Sequence, residues 1–197
     1  MLSEWVARQD LGYAGLLMGA EEFHAIGETR ERYELVNGVV VMSPSPTPQH
    51  WRIIREVLRQ IDAFSGPGGV DPYVETDLYI ESKMVFRPDL CVYAKAPSKR
   101  PPSRLAEAPD LVVEVNSPGN KSYDLVTKRE VYERFGVREY WSIDPWDPNE
   151  PAGLRVRAWR REGGRLVELP TGSESLRSVA IAGFVLDFTP LRELAGP

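Results

Sequence analysis

Glu114 stands in the run LVVEV (111–115), a carboxylate set among valines, with Asn116 directly after it. A buried carboxylate with no partner costs several kcal/mol, so Glu114 calls for a cation or a metal. In a strand the side chains alternate, which puts Val112, Glu114 and Asn116 on one face and Val113 and Val115 on the other. Asp89 lies in an earlier strand-like segment, just after Pro88, whose missing N–H suits a strand start or edge. If the two strands pair, Asp89 and Glu114 converge at one end of a sheet. Two close carboxylates repel, and a hard divalent cation such as Mg²⁺ removes the conflict. Lys128 shares a helical stripe with Val131, Tyr132 and Phe135, so its stem faces the sheet and its ammonium meets a carboxylate or reaches outward. Together Asp89, Glu114 and Lys128 fit metal-assisted hydrolysis of a phosphodiester, the lysine orienting water or balancing charge.

Each group also has an ordinary role. Asp89 suits backbone N–H groups at a strand start, and Lys128 suits an i, i+4 pair with Asp124. Glu114 is the hardest to explain without a site. His50 falls on the apolar stripe of Ile54, Val57 and Ile61, where capping the core is its plain role and facing the cleft its functional one. Glu34, on the face of Val36, is either a cross-strand partner or an added carboxylate near the metal, and Asp144 in SIDP suits a turn. No G-x-S-x-G, P-loop or G-x-G-x-x-G occurs, which excludes those chemistries.

The elements that must position these groups follow in order. Asn37-Gly38 between apolar runs marks a β-hairpin. HWRIIREVLRQIDAF (50–64) is an amphipathic helix, and PYVETDLYI (72–80) and MVFRPDLCVYA (84–94) read as two consecutive antiparallel strands turning at Glu81, Ser82 and Lys83. The strand of Glu114 ends at SPGN, SYDLVTKREVYERFG (122–136) forms a helix stopped by Gly136, and REYWSID (138–144) makes a second strand. Strand, helix, strand implies a parallel crossover. LRVRAWRREGGRLVEL (154–169) is a hairpin through Glu162, Gly163 and Gly164, and VAIAGFVLDF (179–188) reads as a last strand. The fold class is α/β, with an α+β mixed sheet.

With 197 residues, 42% hydrophobic and 27% charged, the chain fits a single globular domain over 1–197, in which 1–30 extend a core at 31–188. No run approaches the roughly 20 apolar residues of a membrane span, and the first residues lack a secretory pattern, so a cytoplasmic location is expected. The single Cys91 excludes an internal disulfide, and with two His it leaves no zinc signature. A net charge of -5 does not advertise nucleic-acid binding, yet basic residues gather in KAPSKRPPSR (95–104) and NKSYDLVTKR (120–129).

YELVNGVVVMSP, His50, FRPDLCVY, APDLVVEVNSPGNKSYDLVTKREVYERFGVREYWSIDP and IAGFVLDF together resemble the bacterial "putative restriction endonuclease" family of the PD-(D/E)XK nuclease superfamily, over about Tyr33 to Phe188. The resemblance implies a restriction-endonuclease-like core in the order helix, three strands, helix, strand, with flanking hairpins. It implies Asp89 and Glu114 as ligands of Mg²⁺ or Mn²⁺, with the Val115 carbonyl completing coordination. The superfamily's usual lysine position holds Asn116, and Lys128 matches members whose lysine has moved to the following helix. The implied activity is DNA hydrolysis by a metal-dependent endonuclease; the alternative is an inactive nuclease-like binding or assembly module. Cutting both strands of a duplex is simplest with two sites, which predicts a homodimer, with the 154–169 hairpin and Trp141 or Trp159 as candidate interface elements.

Overall fold

The computed structural model describes residues 12–43, 45–65, 69–94, 104–116, 123–150 and 153–195. The SPGN segment and most of the basic stretch at 95–104 lie outside them, as does the side chain of Asp124. The chain forms two compact units.

The first unit takes residues up to 45, 77–87 and 101–106. It holds α1 (Ala20–Ala25), β1 (Arg32–Val36), β2 (Val39–Ser43), β4 (Leu78–Glu81) and β5 (Met84–Phe86) in an antiparallel sheet ordered β2-β1-β5-β4. The expected hairpin is present: Asn37 and Gly38 both have positive φ, 51° and 82°, as a primed two-residue turn requires. Phe23, Tyr33, Leu35, Val40 and Val85 are its core.

The second unit takes 46–76, 88–100 and 107–197. Its strands are β3 (Asp71–Val74), β6 (Leu90–Tyr93), β7 (Leu111–Val115), β8 (Glu139–Asp144), β9 (Arg155–Glu162) and β10 (Arg165–Leu169), in the sheet order β10-β9-β8-β7-β6-β3. Pairing is antiparallel except β7 with β8, which is the parallel crossover expected. The helix α2 (Pro48–Ser65) packs Ile53, Ile54, Val57 and Ile61 on the face of Val113, Val115, Trp141 and Ile143. The opposite face carries Tyr140, on which Tyr132 of α3 (Arg129–Phe135) packs with ring centroids 5.5 Å apart. Within this unit the succession α2, β3, β6, β7, α3, β8 is the expected helix, three strands, helix, strand.

Three expectations need correction. PYVETDLYI and MVFRPDLCVYA are not two strands but four, with β4 and β5 serving the first unit's sheet while β3 and β6 serve the second's. The breaks have local causes: Glu75 turns the chain in the left-handed region at φ 46°, and Pro88 cannot donate to a ladder. The last strand shrinks to β12 (Val185–Asp187), paired with β11 (Ser175–Arg177), because Ser178 Oγ accepts the Ile181 N–H and Gly183 takes φ 87°. Trp141 and Trp159 are buried at 0% and 1% exposure within the chain, so neither is available at a subunit interface.

One buried glutamate went unread in the sequence. Glu139, fully buried on β8, accepts from Trp141 Nε1 at 2.8 Å on one oxygen and from Ser178 Oγ (2.6 Å) and the Val179 and Ala180 N–H groups (3.0 and 2.9 Å) on the other. Four neutral donors satisfy this carboxylate, a structural solution that ties residues 178–180 to the sheet. Glu139→Ala is expected to lower stability by about 3 kcal/mol in urea titration with the slope unchanged; a loss below about 0.5 kcal/mol would contradict this role.

Candidate active site

The β6–β7 register sets Leu90 against Val113 and Cys91 against Val112, so one step further brings Asp89 to the Glu114–Val115 end of β7. Asp89 is 7% exposed; its Oδ2 accepts the Val115 N–H at 2.7 Å and its Oδ1 meets His50 Nε2 at 3.1 Å. A carboxylate only accepts, so the ring proton sits on Nε2 in this contact. His50 enters from the first turn of α2, with its backbone N–H held by Thr47 Oγ1 at 3.2 Å. His50 therefore does more than fill the core: it fixes one oxygen of Asp89 while the strand backbone fixes the other.

Glu114 is 3% exposed and Lys128 6%. Lys128 Nζ donates to Glu114 Oε1 at 3.1 Å, and Tyr132 Oη donates to the same oxygen at 2.6 Å. Lys128 closes a π-helical turn, Tyr123–Lys128, that leads into α3. From there the α-period holds, so Lys128 and Tyr132, four residues apart, reach one atom together. Gly136, at φ 104°, ends α3 as the sequence predicts.

Asn116 follows Glu114 on the same strand face, and its N–H donates to the Ile143 carbonyl at 2.7 Å. Its Nδ2 donates to Ser142 Oγ at 2.9 Å, and its Oδ1 is buried with no hydrogen-bond partner among the described residues. Cys91 shares this side: burial first, then the Glu114 carboxylate, pushes its thiol well above the usual range, with Lys128 opposing. That thiol stays protonated and is no nucleophile.

The second unit thus brings together Asp89, Glu114, Lys128, Asn116 and His50. Glu34 belongs to the first unit, where its Oε1 accepts the Arg87 N–H at 2.9 Å and its Oε2 lies 3.5 Å from Ser43 Oγ. Asp144 ends β8 and accepts the Trp146 N–H at 3.1 Å, the turn role read from SIDP. Sequence reading missed Tyr132 and Ser142 as polar partners. Tyr132 was visible as the hydroxyl on the stripe of Lys128; Ser142 needed the β7–β8 register.

Residues 20–189 match the family model Uma2, described as "Putative restriction endonuclease". The chain belongs to this family. A solved structure titled as a putative nuclease belonging to DUF820, from Anabaena variabilis, is similar with a TM-score of 0.73 at 18% identity, over 90% of this chain and 98% of that one. At that identity the likeness speaks for the fold, which is restriction-endonuclease-like. No curated protein matches the chain. Family and fold together indicate a restriction-endonuclease-like nuclease. No described helix is long and apolar enough to cross a membrane.

The buried pair gives a test that does not depend on activity. Lys128→Met strands the Glu114 charge and is expected to cost about 3–5 kcal/mol, while Lys128→Met with Glu114→Gln regains most of it. Equal losses in the single and double variants, measured by urea titration, would contradict the pairing. Cys91 is expected to resist alkylation at pH 8 until the protein unfolds. Its raised folded-state value means that its contribution to stability is present below the unfolded thiol's range and is lost as pH rises above about 9. Rapid labelling of the folded protein would contradict both.

Proposed function

We propose that the protein is a Mg²⁺-dependent endonuclease hydrolysing DNA phosphodiester bonds, with Asp89 and Glu114 as metal ligands. The observation that carries this reading is the convergence of Asp89, Glu114 and Lys128 at one end of the β6–β7 pair. The donor set fits a hard cation: two carboxylates, the Val115 carbonyl, and nearby the Asn116 side-chain amide, whose Oδ1 has no hydrogen-bond partner among the described residues. Among the described residues no group of three or more His, Cys, Asp or Glu forms a cage. Mg²⁺ keeps waters and takes one or two carboxylates plus phosphate oxygens, so two carboxylates are enough to hold it; Mn²⁺ can replace it.

When bound, the cation supplies an acidified water and charge stabilisation at the phosphate. The chain's own groups do the rest. His50 and the Val115 N–H hold both Asp89 oxygens in a fixed orientation. Lys128 is a cation beside the reacting phosphate, balancing charge or orienting the attacking water, and Tyr132 shares with it the task of aiming Glu114. In hydrolysis the water oxygen forms a new P–O bond, one ester P–O bond breaks, and the water's proton ends on the departing alkoxide. Cutting a duplex on both strands is served by a homodimer with one site per protomer.

A second reading, a nuclease-like fold used for binding or assembly without hydrolysis, draws on Asn116 at the superfamily's usual lysine position. The Lys128–Glu114 contact favours the first reading, since it supplies that missing cation from the turn that leads into α3.

Calorimetric titration with Mg²⁺ and Mn²⁺, followed by plasmid nicking, tests the proposal on the native protein, Asp89→Ala and Glu114→Ala. The expected result is metal binding and nicking in the native protein, with both lost in each variant. A native protein that binds neither metal overturns the metal-nuclease reading and leaves the binding module.

A further inference from the structure

On the far side of His50, α2 presents a different set of residues. Trp51, Arg55 and Leu58 follow at i, i+4 and i+7, with Arg52 beside them. With Pro48 and with Val74 of β3 they line a groove of about 520 Å³. Trp51 is 41% exposed, a large aromatic ring left facing the groove rather than the core. Arg52 and Arg55 are exposed too, and among the described residues neither has a hydrogen bond or an ion pair. Arg59, one turn on, is different: it is bound to Glu56 through two hydrogen bonds. The groove is thus a spot of uncompensated positive charge beside a stacking ring, on a chain whose net charge is -5.

Its position ties it to the site. Trp51 follows His50, the residue that holds Asp89, and Val74 pairs with Leu90, the residue after Asp89. Both walls of the groove therefore lead to the same carboxylate.

We infer that this groove binds a single-stranded segment of nucleic acid, with Trp51 stacking on a base and Arg52 and Arg55 contacting its phosphates. The inference deepens the nuclease reading, on which it rests, by giving the substrate a track next to Asp89. A duplex keeps its bases stacked and offers no free face to Trp51, so the groove takes a strand separated from its partner, next to the duplex segment that the site cuts. Charge complementarity separates this occupant from an apolar peptide, which would leave both guanidinium groups unsatisfied.

The test is fluorescence anisotropy with a labelled single-stranded oligonucleotide in EDTA, which separates binding from cutting. Trp51→Ala is expected to weaken binding roughly 5- to 150-fold, with Trp51→Phe retaining most of it. Arg52→Glu with Arg55→Glu is expected to weaken binding at least tenfold, and its neutral counterpart, Arg52→Ala with Arg55→Ala, to flatten the salt dependence by a slope of about 1.4. Arg160→Glu with Arg165→Glu carries the same charge change on β9 and β10 and should leave binding unchanged. Circular dichroism checks that each variant is folded. If the groove variants bind like the native protein, or the control pair weakens binding equally, or the native protein binds no oligonucleotide, the inference is overturned. A native protein that binds through the groove but cuts no nucleic acid when Mg²⁺ or Mn²⁺ is supplied would instead overturn the nuclease reading and leave the groove standing.

Discussion

A lysine and a glutamate, both removed from water, meet where β7 faces the turn into α3, and the candidate site depends on that meeting. Desolvating two charges costs more than their attraction alone returns unless further hydrogen bonds help, as Tyr132 does here. Such a pair is a poor device for stability and a good one for holding a charge ready. Glu139, one strand away, shows the other solution: a buried carboxylate satisfied by four neutral donors, with no cation against it among the described residues. The contrast between the two glutamates is the clearest physical reason to read Glu114 as functional.

The site needs two faces of one sheet to cooperate. Glu114 and Asn116 share the face covered by α3, while Val113 and Val115 pack toward α2. Asp89 connects the sides at the strand end, taking the Val115 N–H from the backbone and His50 from the α2 side. A one-residue slip in the β6–β7 register would turn Glu114 into the apolar core and separate it from Lys128. The packing of Ile53, Ile54, Val57 and Ile61 against Val113, Val115, Trp141 and Ile143 guards against that slip. Hydrophobic burial, with no polar group of its own, thereby sets the position of the polar site.

Much of this was legible in the residues. Alternation along LVVEV placed Glu114 and Asn116 together, helical spacing placed Lys128 on the sheet, and Asn37-Gly38 and Gly163-Gly164 marked their turns. The division of two apparent strands into four was not legible, because apolar alternation continues through both breaks. Glu75 carries no sequence sign of its positive φ, and Pro88 was read as a strand start rather than as the point where the chain changes sheets. His50 looked like core because its helical stripe is apolar; only the tertiary contact shows its ring reaching Asp89. Ser142 and three of the four donors to Glu139 were invisible for the same reason, since the contacts span 26 and 39 to 41 residues of chain.

The central claim is that Asp89 and Glu114 together form a divalent-metal site. Anomalous diffraction from crystals soaked in Mn²⁺ examines it most directly. The account predicts a single strong peak bounded by the Asp89 and Glu114 carboxylates, absent in Glu114→Ala crystals treated identically. A peak elsewhere, or none between these residues at saturating Mn²⁺, would contradict it.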